Sequence, residues 1–264
     1  ALLLYPPLSS WWNAARQAQS ILDYSDSVAR LKAEEQQRLR GAAGEFNGAL
    51  LDRVSPYALP EELAGEYPHM LLTGDSDVIC YLEIPALDLT LPVRHGVESG
   101  TLQRSVGHLE WSSLPVGGES THCVLSGHRG LTNIDRLERG DLFRLHVLGE
   151  TLTYRVDQVA VVEPGDFSLL GIEEGEDLVT LLTCTPYGIN SHRLLVRGER
   201  VDLPEEEFIT EAEEDEAEPL SLQAELPSDS RMASQRRIFW ISCAALGVLA
   251  VGMVTVTLIQ HRKR

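Results

Sequence analysis

Val179-Thr180-Leu181-Leu182-Thr183-Cys184-Thr185-Pro186-Tyr187, with Arg193 nine residues beyond its cysteine, is the stretch on which the reading of this chain turns. A β-branched apolar run that stops at one cysteine, a proline-containing loop and a second apolar run with an arginine near its start read as strand, loop, strand. The cysteine then stands at a strand end, held by rigid backbone and able to face a cleft. An arginine on the neighbouring strand can fold back within reach, which would give the thiol a cationic partner. On spacing alone a strand cysteine is by default a small core residue, so the run needs partners elsewhere to be read as a site.

Upstream, Cys123-Val124-Leu125-Ser126-Gly127-His128-Arg129-Gly130-Leu131 supplies one. An apolar strand ends at Ser126-Gly127 and leaves His128 on the loop beyond it, just as Cys184 closes the other strand. Two strands that end on one rim of a barrel can bring a histidine and a cysteine together. Other alternating runs cover 78–84, 87–93, 142–147, 151–162 and 194–201, with a hairpin turn around Gly149-Glu150. About eight strands predict a mainly β chain closed into a barrel, with functional residues collected at strand ends.

Residues 9–51 lack proline and carry Ile21, Leu22, Val28, Leu31 and Leu39 at helical spacings, so they predict two N-terminal helices jointed near Tyr24-Ser25-Asp26-Ser27. Residues 52–74 contain Pro56, Pro60 and Pro68, which excludes a long regular element. Ala1-Leu2-Leu3-Leu4 and the residues up to Leu8 read as the remnant of an apolar membrane or signal segment, with Trp11 and Trp12 at the interface. Beyond the barrel, 204–237 form an acidic flexible linker, since residues 205–218 hold nine acids and bury too little to offset ordering. The uncharged apolar run 238–259 is long enough for a transmembrane helix, and 260–264 form a basic tail.

The Thr180-Leu181-Leu182-Thr183-Cys184 run with Arg193, together with Ser126-Gly127-His128-Arg129-Gly130, resembles the active-site motifs of the sortases, in particular the class C, pilus-assembling branch. The resemblance covers roughly residues 9–201 and implies a sortase-type barrel over 75–203. It assigns Cys184 as nucleophile, His128 as its imidazole partner and Arg193 as the group that holds a substrate carbonyl or oxyanion. It puts Leu182, Thr183 and Thr185 beside the substrate. His192, next to Arg193, is the other histidine to weigh; His108, His122 and His146 lack the motif.

The same resemblance makes 52–74 a lid. Relatives carry an Asp-Pro-aromatic motif there, whereas this chain has Ser55-Pro56-Tyr57, with Asp52 as the nearest acid. A serine cannot supply the charge, so the expectation is a lid held mainly by Tyr57 packing over Cys184. The implied activity is cleavage of a Leu-Pro-x-Thr-Gly-like sorting signal, a thioacyl intermediate, and transfer to a pilin lysine as an isopeptide bond. The implied partners are pilins or surface proteins, a lysine acceptor and the membrane, with the barrel outside a Gram-positive cell. The alternatives are a sortase that anchors proteins to peptidoglycan and a non-catalytic membrane-tethered barrel. The cysteine lacks papain-like surroundings.

The formal charge of -18 leaves no basic face for nucleic acid. No Gly-rich phosphate loop and no paired His or Cys metal spacing occurs, so no cofactor and no metal are expected. The acidic connection 163–177 lacks EF-hand spacing and reads as a solvated loop rather than a calcium site. Cys80 and Cys123 read either as buried thiols or as a disulfide.

Overall fold

The computed structural model describes residues 5–202, with 75, 104, 129 and 187 excepted, and side chains from residue 13 onward. The linker, the transmembrane run and the basic tail expected from the sequence lie outside the described residues. Among those described, no helix is long and apolar enough to cross a membrane. Contacts divide the chain into two units, and the one running Arg16–Phe208 holds the barrel and every side-chain contact described below.

Eight strands carry the fold: β1 (Val78–Ile84), β2 (Leu89–His95), β3 (Val106–His108), β4 (Thr121–Ser126), β5 (Leu142–Val147), β6 (Glu150–Val162), β7 (Asp177–Thr185) and β8 (His192–Arg200). They close into a barrel in the order β1-β2-β3-β4-β7-β8-β6-β5. Two neighbouring pairs, β2 with β3 and β4 with β7, are parallel. A parallel pair cannot be joined by a tight turn. Between β4 and β7 the chain therefore makes the β5–β6 hairpin and crosses back through the connection 163–176, which lies over the outer face of the sheet.

Alternation decides which residues fill the interior. Val179, Leu181, Leu194, Val196 and Leu125 enter the main core, while Val124, Leu195, Leu182 and Val162 point outward and pack with Leu169 and Leu170 of that connection. Inside, Phe143 and Tyr154 stack at 5.6 Å. Gly198 is needed beside them, because a Cβ there would sit 2.6 Å from the Phe143 ring.

Two helices precede the barrel, α1 (Tyr5–Ala29) and α2 (Ala33–Ala49). Their joint falls at residues 30–32, not at the predicted 24–27. Tyr24, Ser27 and Val28 are all buried on one face of α1, and the Ser27 hydroxyl lies 2.6 Å from that of Thr73, so tertiary contacts carry the helix through its polar residues. The Tyr24 hydroxyl donates to Ile79 O at 3.1 Å and accepts from Leu148 N at 2.9 Å. Arg40 of α2 donates to Leu148 O at 3.0 Å. Both helices thus grip one β-hairpin turn, which is Leu148-Gly149 rather than Gly149-Glu150; both residues have positive φ, 47° and 81°, as a two-residue hairpin requires. β2 begins at Leu89, two residues later than expected, because a 3-10 turn at Pro85–Leu87 and a left-handed Asp88 come first.

The proline-rich span holds only α3 (Glu61–Ala64) and a 3-10 turn at Tyr67–His69. One further short helix, α4 (Ser99–Leu102), leads into β3.

Candidate active site

Register places the sequence-predicted residues on three adjacent strands. Cys184 on β7 pairs directly with Arg193 on β8, and directly opposed residues in an antiparallel pair project to the same face. β4 runs parallel to β7 with Ser126 opposite Leu182. The pairing continues one step into the loop, where Gly127 N donates to Leu182 O at 3.0 Å. The Thr183 hydroxyl donates to Gly127 O at 2.8 Å. His128 therefore leaves the barrel at the level where Cys184 does, on a loop fixed to β7 from both sides.

Alternation along β7 also sets which way the thiol faces. Thr180, Leu182 and Cys184 share the outer face, where Thr180 bonds His122 and Leu182 lines a groove. Cys184 is a free, partly exposed thiol and His128 is exposed. Arg193 donates from Nη1 to Asn190 O at 3.2 Å and His192 O at 3.0 Å, which anchors the head of its side chain along the β7–β8 loop. Of the residues expected beside substrate, Leu182 lines the groove and Thr185 is partly exposed opposite His192. Thr183 is 3% exposed and spends its hydroxyl on the His128 loop.

The groove encloses about 380 Å³ and runs up to Ser126, Leu182 and Arg193, one step short of Cys184 and His128. Leu195, Val162, Leu109, Trp111 and Phe167 give it an apolar lining, and Glu98, Glu110 and Asp166 also line it. Such a channel suits an extended peptide whose apolar side chains alternate with exposed backbone.

The lid-like span sits on this groove. Tyr57 packs its ring against Trp111 at 5.5 Å and Phe167 at 5.6 Å, so the expected packing over Cys184 becomes packing over the groove that leads to it. Arg53 donates to the Trp111 carbonyl. Asp52 is exposed, as are Ser55 and Pro56. Among the described residues no carboxylate forms an ion pair with Arg193. Sequence reasoning missed Arg53, Trp111 and Phe167; the last two were visible only as lone aromatics in loops.

The remaining histidines and cysteines are placed by burial. His192 faces Ser191 and Glu163, at 2.9 and 3.5 Å. His122 donates from Nδ1 to Gly171 O at 2.7 Å and accepts at Nε2 from the Thr180 hydroxyl at 2.7 Å, since a carbonyl can only accept. Burial pushes its titration down. Cys80 and Cys123 are free and buried, not bridged, and burial raises both thiols. In the acidic connection, Glu173 pairs with Arg197 at 2.7 Å, and Asp177 at the start of β7 accepts from Gly118 N and Tyr154. These acids are structural ties, where the sequence predicted only a solvated loop. Among the described residues no group of three or more His, Cys, Asp and Glu could hold a metal ion.

The family model "Sortase domain" matches residues 82–201. The solved structure of sortase C1 from Streptococcus agalactiae is 40% identical, with a TM-score of 0.68, over 70% of this chain and 100% of that one. The chain belongs to the sortase family. Sortases are cysteine transpeptidases, and this chain has their fold. A second solved neighbour, sortase C of Clostridium perfringens with the C-terminal cell wall sorting motif, is 42% identical over 70% of this chain and all of that one, with a TM-score of 0.62. Among curated relatives, sortase D of Bacillus subtilis is 32% identical over 134 residues, which is 49% of this chain and 66% of that protein. The chain matches 40% and 57% of the length of two further curated sortases.

Proposed function

We propose that this sortase is a class C-type pilin transpeptidase in which Cys184, His128 and Arg193 act as one unit. The observation that carries the reading is the direct pairing of Cys184 with Arg193, beside a His128 loop tied to the same strand, at the head of a peptide-sized groove. A thiolate is the nucleophilic form of cysteine and is favoured by cationic neighbours. The Cys184 thiolate attacks the threonine carbonyl of a Leu-Pro-x-Thr-Gly-like signal, and Arg193 holds the developing oxyanion through its fixed fork of donors. His128 protonates the glycine amine as the carbon–nitrogen bond breaks, leaving a thioester. A lysine amine of the next subunit then attacks that carbonyl. His128 takes up its proton, the thiolate leaves, and an isopeptide bond remains.

Further parts of the reading rest on sequence. Residues 52–58 act as a lid, 204–237 as a linker, and 238–259 as the membrane anchor of a barrel at the Gram-positive cell surface.

The test incubates the full chain with a sorting-signal peptide and with purified pilin. Expected are a covalent adduct on Cys184 and lysine-linked pilin oligomers. Cys184→Ala should remove both, and any residual ladder would refute the assignment. Adduct without pilin oligomers, but with transfer to a peptidoglycan amine, would instead favour wall anchoring. No adduct at all would favour a binding barrel.

A further inference from the structure

The segment that joins the helices to the barrel does more than cover the groove. Tyr67, 4% exposed, has its ring fixed by Phe46 at 6.2 Å and by the edge of His95 at 4.5 Å. Its hydroxyl sits at a junction. It accepts from Gly96 N at 3.2 Å and lies 3.0 Å from both Nδ1 and the carbonyl oxygen of His108. Gly96 N also donates directly to His108 O at 3.1 Å, so the hydroxyl sits against the last backbone bond between the ends of β2 and β3. The ring of His108 is fully buried, and its Nε2 faces Ser113 O at 2.8 Å. A carbonyl can only accept, so Nε2 carries the proton, Nδ1 is the acceptor, and the tyrosine hydroxyl donates to His108.

The relay Gly96–Tyr67–His108–Ser113 therefore braces the junction where two groove-lining segments leave the neighbouring strands β2 and β3. Gly96 leads into Val97 and Glu98 on one segment, and His108 to Ser113 bracket Leu109, Glu110 and Trp111 on the other. The second segment is pinned again at its far end. The side-chain amide of Asn47, 3% exposed, accepts from Leu114 N at 2.7 Å and donates to Leu114 O at 3.1 Å. Arg53 holds its middle at the Trp111 carbonyl. Three residues from one short span, 47–67, thus hold the segment 108–114 at its two ends and its centre.

We infer that Tyr67 is a positioning residue for the sorting signal: through its hydroxyl it braces the junction of the two groove-lining segments that follow β2 and β3, with Asn47 as its partner at the far end of the second. The inference rests on the reading of the groove as the peptide site. Neither side chain lines the groove, so each acts through the backbone it holds. The helical arm is on this account part of the substrate site, although it lies outside the matched family domain of residues 82–201.

Tyr67→Phe in the full chain is the decisive variant, since it deletes the hydroxyl and keeps the ring. Expected is a rise of about tenfold in KM for a Leu-Pro-x-Thr-Gly-type peptide, with kcat and the rate of Cys184 alkylation by iodoacetamide within about twofold. Amide exchange at Glu110 and Trp111 should accelerate while β7 and β8 stay protected. Unchanged KM and exchange, or a fall in kcat and alkylation together, would overturn the inference. If Tyr67→Phe does not fold, Asn47→Asp decides on the same readouts, because it loses the donor to Leu114 O and keeps the acceptor. A wild-type chain that never reacts with the peptide would refute the proposed function, and exchange would still decide whether Tyr67 holds the groove-lining segments.

Discussion

Thr183 shows how much of a site is made by residues buried beside it. Its hydroxyl is committed to the Gly127 carbonyl at 2.8 Å, the peptide that leads into His128. Replacing it by valine keeps shape and burial and leaves that carbonyl unpaired. Thr183→Val should cost about 1–3 kcal/mol of stability and lower kcat about tenfold by loosening the histidine loop. Peptide turnover and a denaturant melt would measure both, and unchanged kcat would mean that His128 is held by other means. The placing of Cys184, His128 and Arg193 at strand ends was legible in the sequence, because strand ends are local, whereas it was the resemblance that singled them out. The role of Thr183 was not, since a threonine inside a strand is the commonest of β residues and only the parallel neighbour gives its hydroxyl an acceptor.

At the scale of elements, the hairpin turn Leu148-Gly149 is where the helices meet the barrel. Tyr24→Phe removes a hydroxyl that serves Ile79 O and Leu148 N, both buried, and should destabilise the fold by about 1–3 kcal/mol. The measure is a denaturation midpoint, and no shift would mean that the arm is held by packing alone. The span 52–58 behaves differently. Its ring anchor, Tyr57, sits on Trp111 and Phe167, an aromatic contact worth about 0.5–1.5 kcal/mol beyond burial. Tyr57→Ala should therefore open the groove and speed thioester formation with a peptide by several-fold, with small-probe alkylation of Cys184 little altered. Slower acylation would show that Tyr57 binds the peptide rather than excludes it. The sequence had pointed at Cys184 as the partner of Tyr57, because the two aromatics that receive it are scattered over more than fifty residues and meet only across the groove.

For the whole molecule, buried neutral histidines set the response to acid. Burial pushes His108 down to about 3 and lowers His95 and His122 as well, whereas an unfolded histidine titrates near 6.5. The folded state therefore binds fewer protons than the unfolded one between these values. Stability is complete above about pH 6.5 and falls as the pH drops towards 3, by up to about 1.4 kcal/mol per pH unit for His108 alone. Asp177, whose carboxyl is raised by burial, has the opposite sign and offsets part of the loss at the acid end. Denaturant unfolding at pH 7.5 and pH 5 should differ by about 2 kcal/mol or more, and equal values would mean that these rings are charged or hydrated in the native state.

The barrel, its strand count and the residues at its rim follow from the sequence because period-two alternation and strand ends are local properties of the chain. So does the absence of a long element over 52–74, since proline acts on its own backbone. What the tertiary structure alone decided is non-local. The helix joint moved to 30–32 because buried contacts carry α1 past its polar residues. Cys80 and Cys123 remained thiols. The segment 108–114 is tied to Asn47, Arg53 and Tyr67, which lie more than forty residues from their partners in the chain. A hydrogen bond across such a distance leaves no periodicity in either segment, and it exists only once the barrel has closed.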